Sequence, residues 1–413
     1  MGFQTGLSGL DSASQSLDII GNNISNAGTV GFKSSTAIFS DVYANSLSGA
    51  GTGPIGIGSK VAEVQQQFTQ GNINTTNNPL DIAINGNGFF EVQNNGSTYY
   101  TRNGQFQQNS TGSIVTADNM QLLGYPANAS GSIVGSTPVP LQISNAQLAP
   151  SVTSTLTANL NLSSSATVPA TGVFNPADPT SYNNSTSADI YDSLGNAHPV
   201  TFFFIKTAVA GKWAVQATVD GTAATNVNLG AGAGNPINLQ FNSSGAMTTA
   251  MPISPVQFTI GGGAASPLSL SMDLTGSTQF GAPFGVNSLS QNGFASGQLS
   301  GFNIGGDGLI VGTYTNGQTK NLGQIALATF ANPQGLQPQG GSNWAATSAS
   351  GLAVVGAPGS GSSGVLQSSA LEQSNVDLTS ELVNLITAQR NYQANAQTIK
   401  AQDTVLQTLV NIN

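Results

Sequence analysis

The chain has 413 residues and a net charge of −9, and only 6% of its residues are charged. Its 8 Lys and Arg residues cannot form the basic stripe of a nucleic-acid-binding protein, and an anionic membrane surface repels an acidic chain. No run approaches the roughly 18 apolar residues of a membrane-spanning helix, and the N-terminus lacks the pattern of a cleaved signal peptide. We therefore expect neither nucleic-acid binding nor membrane insertion. The protein is then either cytoplasmic or exported without a cleaved signal.

The first predicted element is a helix over residues 3–24. Its apolar and small residues recur at alternating steps of four and three, the heptad seam of a helix that packs on another helix. Asn26 and Gly28 follow as stop signals, because glycine readily takes the left-handed conformation at a helix end. The seam consists of Phe3, Leu7, Leu10, Ser14, Leu17, Gly21 and Ile24.

Strand patterns follow between the two ends of the chain. Residues 89–92 and 98–101 are rich in aromatic and β-branched types and flank Asn95 and Gly96, a pair that fits the turn of a β-hairpin. From about residue 144 to 289, a Ser/Thr/Ala/Asn-rich region carries strand patterns of its own. This shift in composition predicts a separate β domain.

The last predicted element is a second helix over residues 377–410, about 50 Å long at 1.5 Å per residue. Residues 374–377 have the pattern of a capping box at its start. Two heptad segments at opposite ends of the chain predict that the two helices pair with each other. The pair is either part of an ordinary core or leaves helix faces free to pack against other copies of the chain. The second seam consists of Leu378, Leu382, Leu385, Gln389, Tyr392, Ala396, Ile399, Asp403, Leu406 and Val410.

The fold class expected from this order is α+β and multidomain. Its terminal α-helices form a coiled coil, and of its two mainly β domains the outer one is inserted in the inner one. The predicted parts are inner coiled-coil helices at 1–27 and 372–413, an extended connector at 28–75 and 350–371, an inner β domain at 76–145 and 290–349, and an outer β domain at 146–289.

Residues that could carry catalysis are scarce. The sequence has no Cys and a single His, His198, which we interpret as a polar loop residue. It contains no phosphate-binding loop and no nucleophile elbow. Asp192 and Asp307 stand near glycines and are more typical of turns than of a calcium loop. We expect no enzyme, no cofactor and no metal, although a distant pair of carboxylates leaves a hydrolase open.

Three long segments resemble the bacterial flagellar rod and hook axial protein family. They read GLSGLDSASQSLDIIGNNISNAGTVGFKSS near the N-terminus, GNINTTNNPLDIAINGNGFFEV in the β region, and SNVDLTSELVNLITAQRNYQANAQTIKAQDTVLQTLVN at the C-terminus. Residues 185–207 and 322–351 are similar to the hook members of that family. A distal-rod-type axial protein is one alternative, and a secreted β-rich adhesive or binding protein is another.

The resemblance implies a self-assembling structural protein. Its subunits would build a flexible helical tube that transmits motor torque to the filament and encloses the export channel. The location implied is extracellular, in the flagellar hook, after export without a cleaved signal peptide. The partners implied are the chain itself, the distal rod, the hook cap, the hook–filament junction proteins and the flagellar type III export apparatus.

The resemblance also implies which residues would serve assembly. The inner helices would pack with each other and with neighbouring subunits, and a turn after the first helix would lead the chain out of that layer. The turn residues are Asn22, Asn23, Gly28 and Gly31. The interface residues are Phe3, Leu7, Leu10, Leu17, Ile24, Leu378, Leu382, Leu385, Tyr392, Ala396, Ile399, Leu406 and Val410.

Overall fold

The computed structural model describes residues 2–43, 56–222 and 224–411. The chain is mostly β, with helix α1 (Gly2–Ser25) at its start and helix α2 (Leu378–Asn411) at its end. The strands before residue 146 are β1 (Ser35–Tyr43), β2 (Gly56–Gln66), β3 (Ile73–Thr75), β4 (Ile82–Asn85), β5 (Phe89–Asn94), β6 (Ser97–Thr101), β7 (Gln107–Gln108), β8 (Ile114–Val115), β9 (Gln121–Pro126) and β10 (Val139–Pro140).

The strands of the central region are β11 (Thr155–Asn161), β12 (Asn184–Tyr191), β13 (Ala197–Lys206), β14 (Lys212–Val219), β15 (Val227–Asn228), β16 (Ile237–Gln240), β17 (Ile253–Phe258), β18 (Leu268–Asp273) and β19 (Gly285–Gln291). The strands that follow are β20 (Leu299–Ile304), β21 (Leu309–Tyr314), β22 (Thr319–Ile325), β23 (Leu327–Thr329), β24 (Gln337–Gly340), β25 (Asn343–Ala345), β26 (Val354–Gly356), β27 (Val365–Ser368) and β28 (Ala370–Glu372). Short 3-10 turns lie at Pro179–Ser181, Ala224–Asn226 and Pro333–Gly335.

The prediction of a mainly β chain with a helix at each end is confirmed. The cap of α2 differs from the predicted box, because Asp377 alone serves the helix start. Its side chain accepts hydrogen bonds from the backbone N–H groups of Thr379 and Ser380 at 2.9 and 3.3 Å. Ser374 instead bonds the N–H of Val376, outside the helix. One carboxylate thus satisfies two of the donors that a helix start leaves free.

The chain divides into two compact units. The first consists of Met1–Asn145, Gly301–Thr313 and Thr319–Asn413, and the second of Ala146–Ser300 and Tyr314–Gln318. The four-part division expected from the sequence stays a prediction.

The first unit is built on a large sheet whose main strand order is β20-β21-β22-β9-β5-β6-β25-β24. The predicted hairpin is present as β5 and β6, with Asn95 and Gly96 at φ 48° and 85° in its turn. An aromatic cluster backs this hairpin, and Phe89 lies 5.5–5.9 Å from the rings of Phe68, Phe330 and Trp344 in edge-on contacts. Smaller two-stranded sheets pair β1 with β2, β27 with β4 and β28 with β3.

The second unit has a core of its own between two sheets. One sheet has the order β15-β17-β18-β11-β19 and the other β12-β13-β14-β16. Alternate residues of β13, β16 and β18 are buried, as expected of strands with one face on a core. Both sheets contribute to one apolar cluster, in which Trp213, Phe258 and Leu160 have no exposed surface.

Candidate assembly surface

Helices α1 and α2 lie against each other in opposite directions. Gly9 faces Asn395, Gly6 faces Ile399, and Asn23 donates a hydrogen bond to Oε1 of Glu381 at 3.1 Å. A Cβ at Gly9 would lie 2.7 Å from Oδ1 of Asn395, so the two backbones approach closely because glycine has no side chain. In this register the last turns of α2 extend beyond the first residue of α1.

Apart from Ser12, the buried face of α1 lies one residue before the predicted seam. It consists of Gly6, Ser12, Ala13, Ile20 and Asn23, whereas the predicted residues Leu10, Leu17 and Ile24 are half-buried at its edge. Phe3 and Leu7 are 47% and 51% exposed. Small and polar residues therefore fill the contact between the helices, and the large apolar ones stand beside it.

On α2 the predicted seam divides into two groups. Leu385, Ala396 and Ile399 are half-buried, whereas Leu378, Leu382, Tyr392 and Leu406 are exposed. Among the described side chains of α2, Ala388, which the predicted seam omitted, is the buried apolar one. The side chain of Val410 lies outside the described residues. Val383, Ile386 and Val405, also outside the predicted seam, are 50–59% exposed.

The β1–β2 hairpin lies beside the helix pair and forms grooves with it. Ser12 bonds Ser59 across this contact, with 3.1 Å between the hydroxyl oxygens. Two adjoining grooves of about 310 and 580 Å³ run between the helices and the hairpin and share Ser16, Phe39, Ala388 and Asn391. Apolar residues on the hairpin are exposed too: Ile38, Phe39 and Val64.

The predicted turn residues after α1 differ in what they contact. Asn23 is buried and brackets Ser35, accepting from its N–H at 2.9 Å and donating to its carbonyl at 2.8 Å. Gly31 is buried at φ 69°, where a Cβ would meet the backbone of Arg102 at 2.6 Å. Asn22 and Gly28 are exposed, and nothing lies within 4 Å of a Cβ built on Gly28. Asn23 and Gly31 therefore fix the path of the chain after α1 through buried contacts, whereas Asn22 and Gly28 lie at the surface.

A buried ionic cluster, which the sequence did not reveal, lies where the segments next to both helices meet the β part of the first unit. Glu372 binds Nζ of Lys33 through Oε1 at 2.6 Å and Nη1 of Arg102 through Oε2 at 3.1 Å. The three residues are only 1%, 1% and 4% exposed, in the order Glu372, Lys33, Arg102. Burial lowers the pKa of Lys33 and of Arg102, and the Glu372 carboxylate opposes both shifts.

His198 is not the polar loop residue that the sequence indicated. It lies in strand β13, is 9% exposed, and bonds Asp220 through Nδ1 at 2.8 Å and Asp192 through Nε2 at 3.2 Å. Burial alone would lower the pKa of His198, but the bonds to these two carboxylates raise it. The turn interpretation of Asp192 was right, because it accepts from the N–H groups of Leu194 and Asn196. The second carboxylate, that of Asp220, is brought close to His198 by the pairing of β13 with β14, which no local sequence pattern indicated.

Within residues 2–43, 56–222 and 224–411, no three His, Asp or Glu side chains converge as a metal ion would require. Neither described helix has the length and apolarity needed to cross a bilayer.

Family models of flagellar proteins match four segments of the chain. Residues 3–33 match "Flagella basal body rod protein", 83–171 match "Flagellar hook protein FlgE/F/G D1 domain", 156–294 match "Flagellar basal body protein FlaE D2 domain", and 367–412 match "Flagellar basal body rod FlgEFG protein C-terminal". Together with terminal helices that bracket two β units, these matches define an axial protein of the flagellar rod and hook class.

Similarity over the whole length identifies the family within that class. The chain is 43% identical to flagellar hook protein FlgE of Salmonella typhimurium and 42% identical to that of Escherichia coli, over 100% of each chain in both cases. It is 32% identical to the hook protein of Borreliella burgdorferi, over 99% of this chain and 98% of that protein. The chain belongs to the flagellar hook protein family, and its function is that of a structural hook subunit.

A solved structure has a similar fold. The Helicobacter pylori flagellar hook protein FlgE2 superposes with a TM-score of 0.52 at 14% identity, covering 73% of this chain and 100% of that one.

Proposed function

We propose that copies of this chain assemble through their terminal helices into a flexible helical tube that transmits motor torque and encloses an export channel. The observation that carries the proposal is the set of exposed apolar side chains on α2. Leu382, Val383 and Ile386 are each about half exposed or more within two turns of one helix. A single chain leaves this surface in water, and burying it yields about 25 cal/mol per Å².

The α1–α2 pair becomes a coiled coil in this proposal, with sister helices completing its core. The edge residues Leu10, Leu17, Leu385 and Ile399 would contact both the partner helix and a neighbour. Phe3, Leu7, Leu378, Leu382 and Leu406 would contact neighbours alone. The grooves beside Phe39 and Ala388 offer room for side chains of a sister helix.

The second unit would form an outer domain inserted in the inner one. It has a complete core of its own, and residues 148 and 297 at its two ends are hydrogen-bonded to each other. Contacts between outer domains must change as a hook bends. A surface of small neutral side chains, on a chain with 6% charged residues, favours weak contacts that can rearrange.

We assign no catalytic role to the chain. Two buried groups of charges form ion pairs within the chain: Glu372 with Lys33 and Arg102, and His198 with Asp192 and the more exposed Asp220. This arrangement serves structure, and the family is a structural one.

The partners that the proposal implies are other copies of the chain, the distal rod, the hook cap, the hook–filament junction proteins and the flagellar type III export apparatus. The proposed location is outside the cell, after export without a cleaved signal peptide. Whole-length similarity to hook proteins favours this function over that of a distal-rod protein.

Electron microscopy of the concentrated full-length chain tests the proposal, with a variant that ends at residue 377 as comparison. We expect tubes of uniform diameter from the full chain and none from the shortened one. Calorimetry of the second unit serves as the folding control and should give the same transition for both. Tubes formed without α2, or a full chain that stays monomeric at every concentration, would refute assembly through the helices.

A further inference from the structure

Three segments far apart in the sequence meet at the buried ionic cluster. Lys33 lies eight residues after α1, Arg102 directly follows strand β6, and Glu372 ends strand β28, six residues before α2. Glu372 thus bonds both Lys33, which follows α1, and Arg102, which follows β6.

The cluster has more positive than negative charge, and backbone oxygens compensate the excess. Nζ of Lys33 also donates to the carbonyl of Thr69 at 2.7 Å, and Nη2 of Arg102 donates to that of Gly86 at 2.8 Å. The guanidinium of Arg102 lies 5.3 Å from the ring centroid of Phe89. A buried charge without a partner is strongly unfavourable, so all three side chains depend on being brought together.

Backbone contacts join the same two terminal segments around the cluster. The N–H of Gly31 donates to the carbonyl of Glu372 at 2.8 Å, and the N–H of Ser34 donates to Oδ1 of Asn375 at 2.8 Å. The N–H of Gly71 donates to Oε1 of Glu372 at 2.9 Å. A side chain at Gly71 would collide with the carbonyl of Gln373, so this close approach requires glycine.

We propose that Lys33, Arg102 and Glu372 form the joint that holds both terminal helices to the β part of the first unit, with Glu372 as its positioning residue. The segments before α2 and after α1 hold each other through Glu372, so they become ordered or disordered together. The joint closes within one chain and sets the direction of the helix pair before any neighbour binds. A further consequence rests on the proposed function: in the tube, the joint transmits load between the terminal helices and the β strands of the first unit.

Hydrogen exchange of the full-length free chain, followed by mass spectrometry, tests the joint. In Glu372→Gln two buried cations lose their carboxylate while the size of the side chain is kept. We expect exchange protection to fall more than tenfold in residues 28–35 and 368–376 together, with no change in the second unit. Glu63→Gln, the same substitution at an exposed carboxylate on β2, should leave protection within twofold of the parent.

A double variant distinguishes charge pairing from loss of packing. Lys33→Met with Glu372→Gln removes one cation and the carboxylate, so the cluster keeps its original net charge. We expect it to recover part of the protection that Glu372→Gln loses. No recovery, or loss confined to residues 368–376, would overturn the joint. If Glu372→Gln does not fold, the single variant Lys33→Met tests the joint. Its exchange protection must then fall in residues 28–35 and 368–376 together, and a loss confined to residues 28–35 would overturn the joint.

Tube formation and the temperature at which tubes dissociate distinguish a failure of this inference from a failure of the proposed function. A parent chain that forms no tubes refutes assembly, and the exchange result still decides the joint. If the parent forms tubes and Glu372→Gln tubes dissociate at the same temperature, the joint carries no load.

Discussion

Leu406 tests whether the overhanging end of α2 serves assembly. It is 53% exposed, because α2 extends past the start of α1 at this point. Burying a whole Leu side chain is worth about 1.5–3 kcal/mol, so a neighbour that covers the exposed half contributes about 0.8–1.6 kcal/mol. Leu406→Asp loses this contribution and adds an unpaired carboxylate, which costs on the order of several kcal/mol when buried. Since about 1.4 kcal/mol is a factor of ten, the critical concentration for tubes should rise at least about a hundredfold.

The assay is sedimentation of tubes across a concentration series, beside calorimetry of the free chain. Thr408→Asp is the matched control. It adds the same charge in the same turn, about 200° around the helix from Leu406. We expect Thr408→Asp to weaken assembly much less, and neither variant to change the melting temperature of the free chain. A Leu406→Asp chain that melts several degrees lower and still forms tubes would refute the reasoning, because Leu406 would then belong to the subunit's own core.

Other predictions concern the helix contact, the buried histidine and the second unit. Gly9→Leu should separate α1 from α2 and lower helix content by circular dichroism, whereas Gly21→Leu should not, since nothing lies within 4 Å of a Cβ there; equal effects would refute the close contact. The raised pKa of His198 means that its stabilising charge is fully present below its ordinary pKa of about 6.5 and is lost as the pH rises through the raised value. The calorimetric transition of the second unit should therefore fall over that range, and His198→Gln should abolish the fall; a pH dependence unchanged in the variant would contradict the assignment. Excision of residues 149–296, whose flanking residues are bonded to each other, should leave a folded first unit that still forms tubes; an unfolded remainder would argue for one continuous core.

The elements that the sequence predicted well are those specified by short-range patterns. The hairpin around Asn95 and Gly96 follows from residues that accept positive φ between two alternating runs. Helix α1 ends at Ser25, next to the predicted stop residue Asn26, although Gly28 does not take the left-handed conformation. Helix α2 begins directly after Asp377, which lies in the predicted capping segment. In each case the physical cause lies within about ten residues of its effect.

The register of the helix pair could not be predicted from short-range sequence patterns. The predicted heptad seam consists mainly of large apolar residues, whereas the contact uses Gly6, Gly9, Ala13 and Asn395. Large apolar residues mark the contact face only where the two backbones are far enough apart for these side chains to fit between them. Gly6 and Gly9, three positions apart on one face, were the available signal that the backbones approach closely.

The ionic joint lies beyond any pattern in a single sequence. Lys33, Arg102 and Glu372 are separated by 69 and 270 positions, and each alone would normally be interpreted as a solvated charge. His198 was misassigned for the same reason, since its partner Asp220 is reached only through strand pairing.

The distribution of charge separates two kinds of contact in the proposed tube. Two of the 8 basic residues of the chain are used in one buried cluster, where fixed distances and directions permit a single arrangement. The exposed faces of α2 instead carry mostly Gln, Asn, Thr and aliphatic side chains, which can shift against a neighbour without breaking an ion pair. A tube that bends while it rotates needs both kinds. Its deformation would then fall on contacts between subunits, and the joint inside each subunit would stay closed.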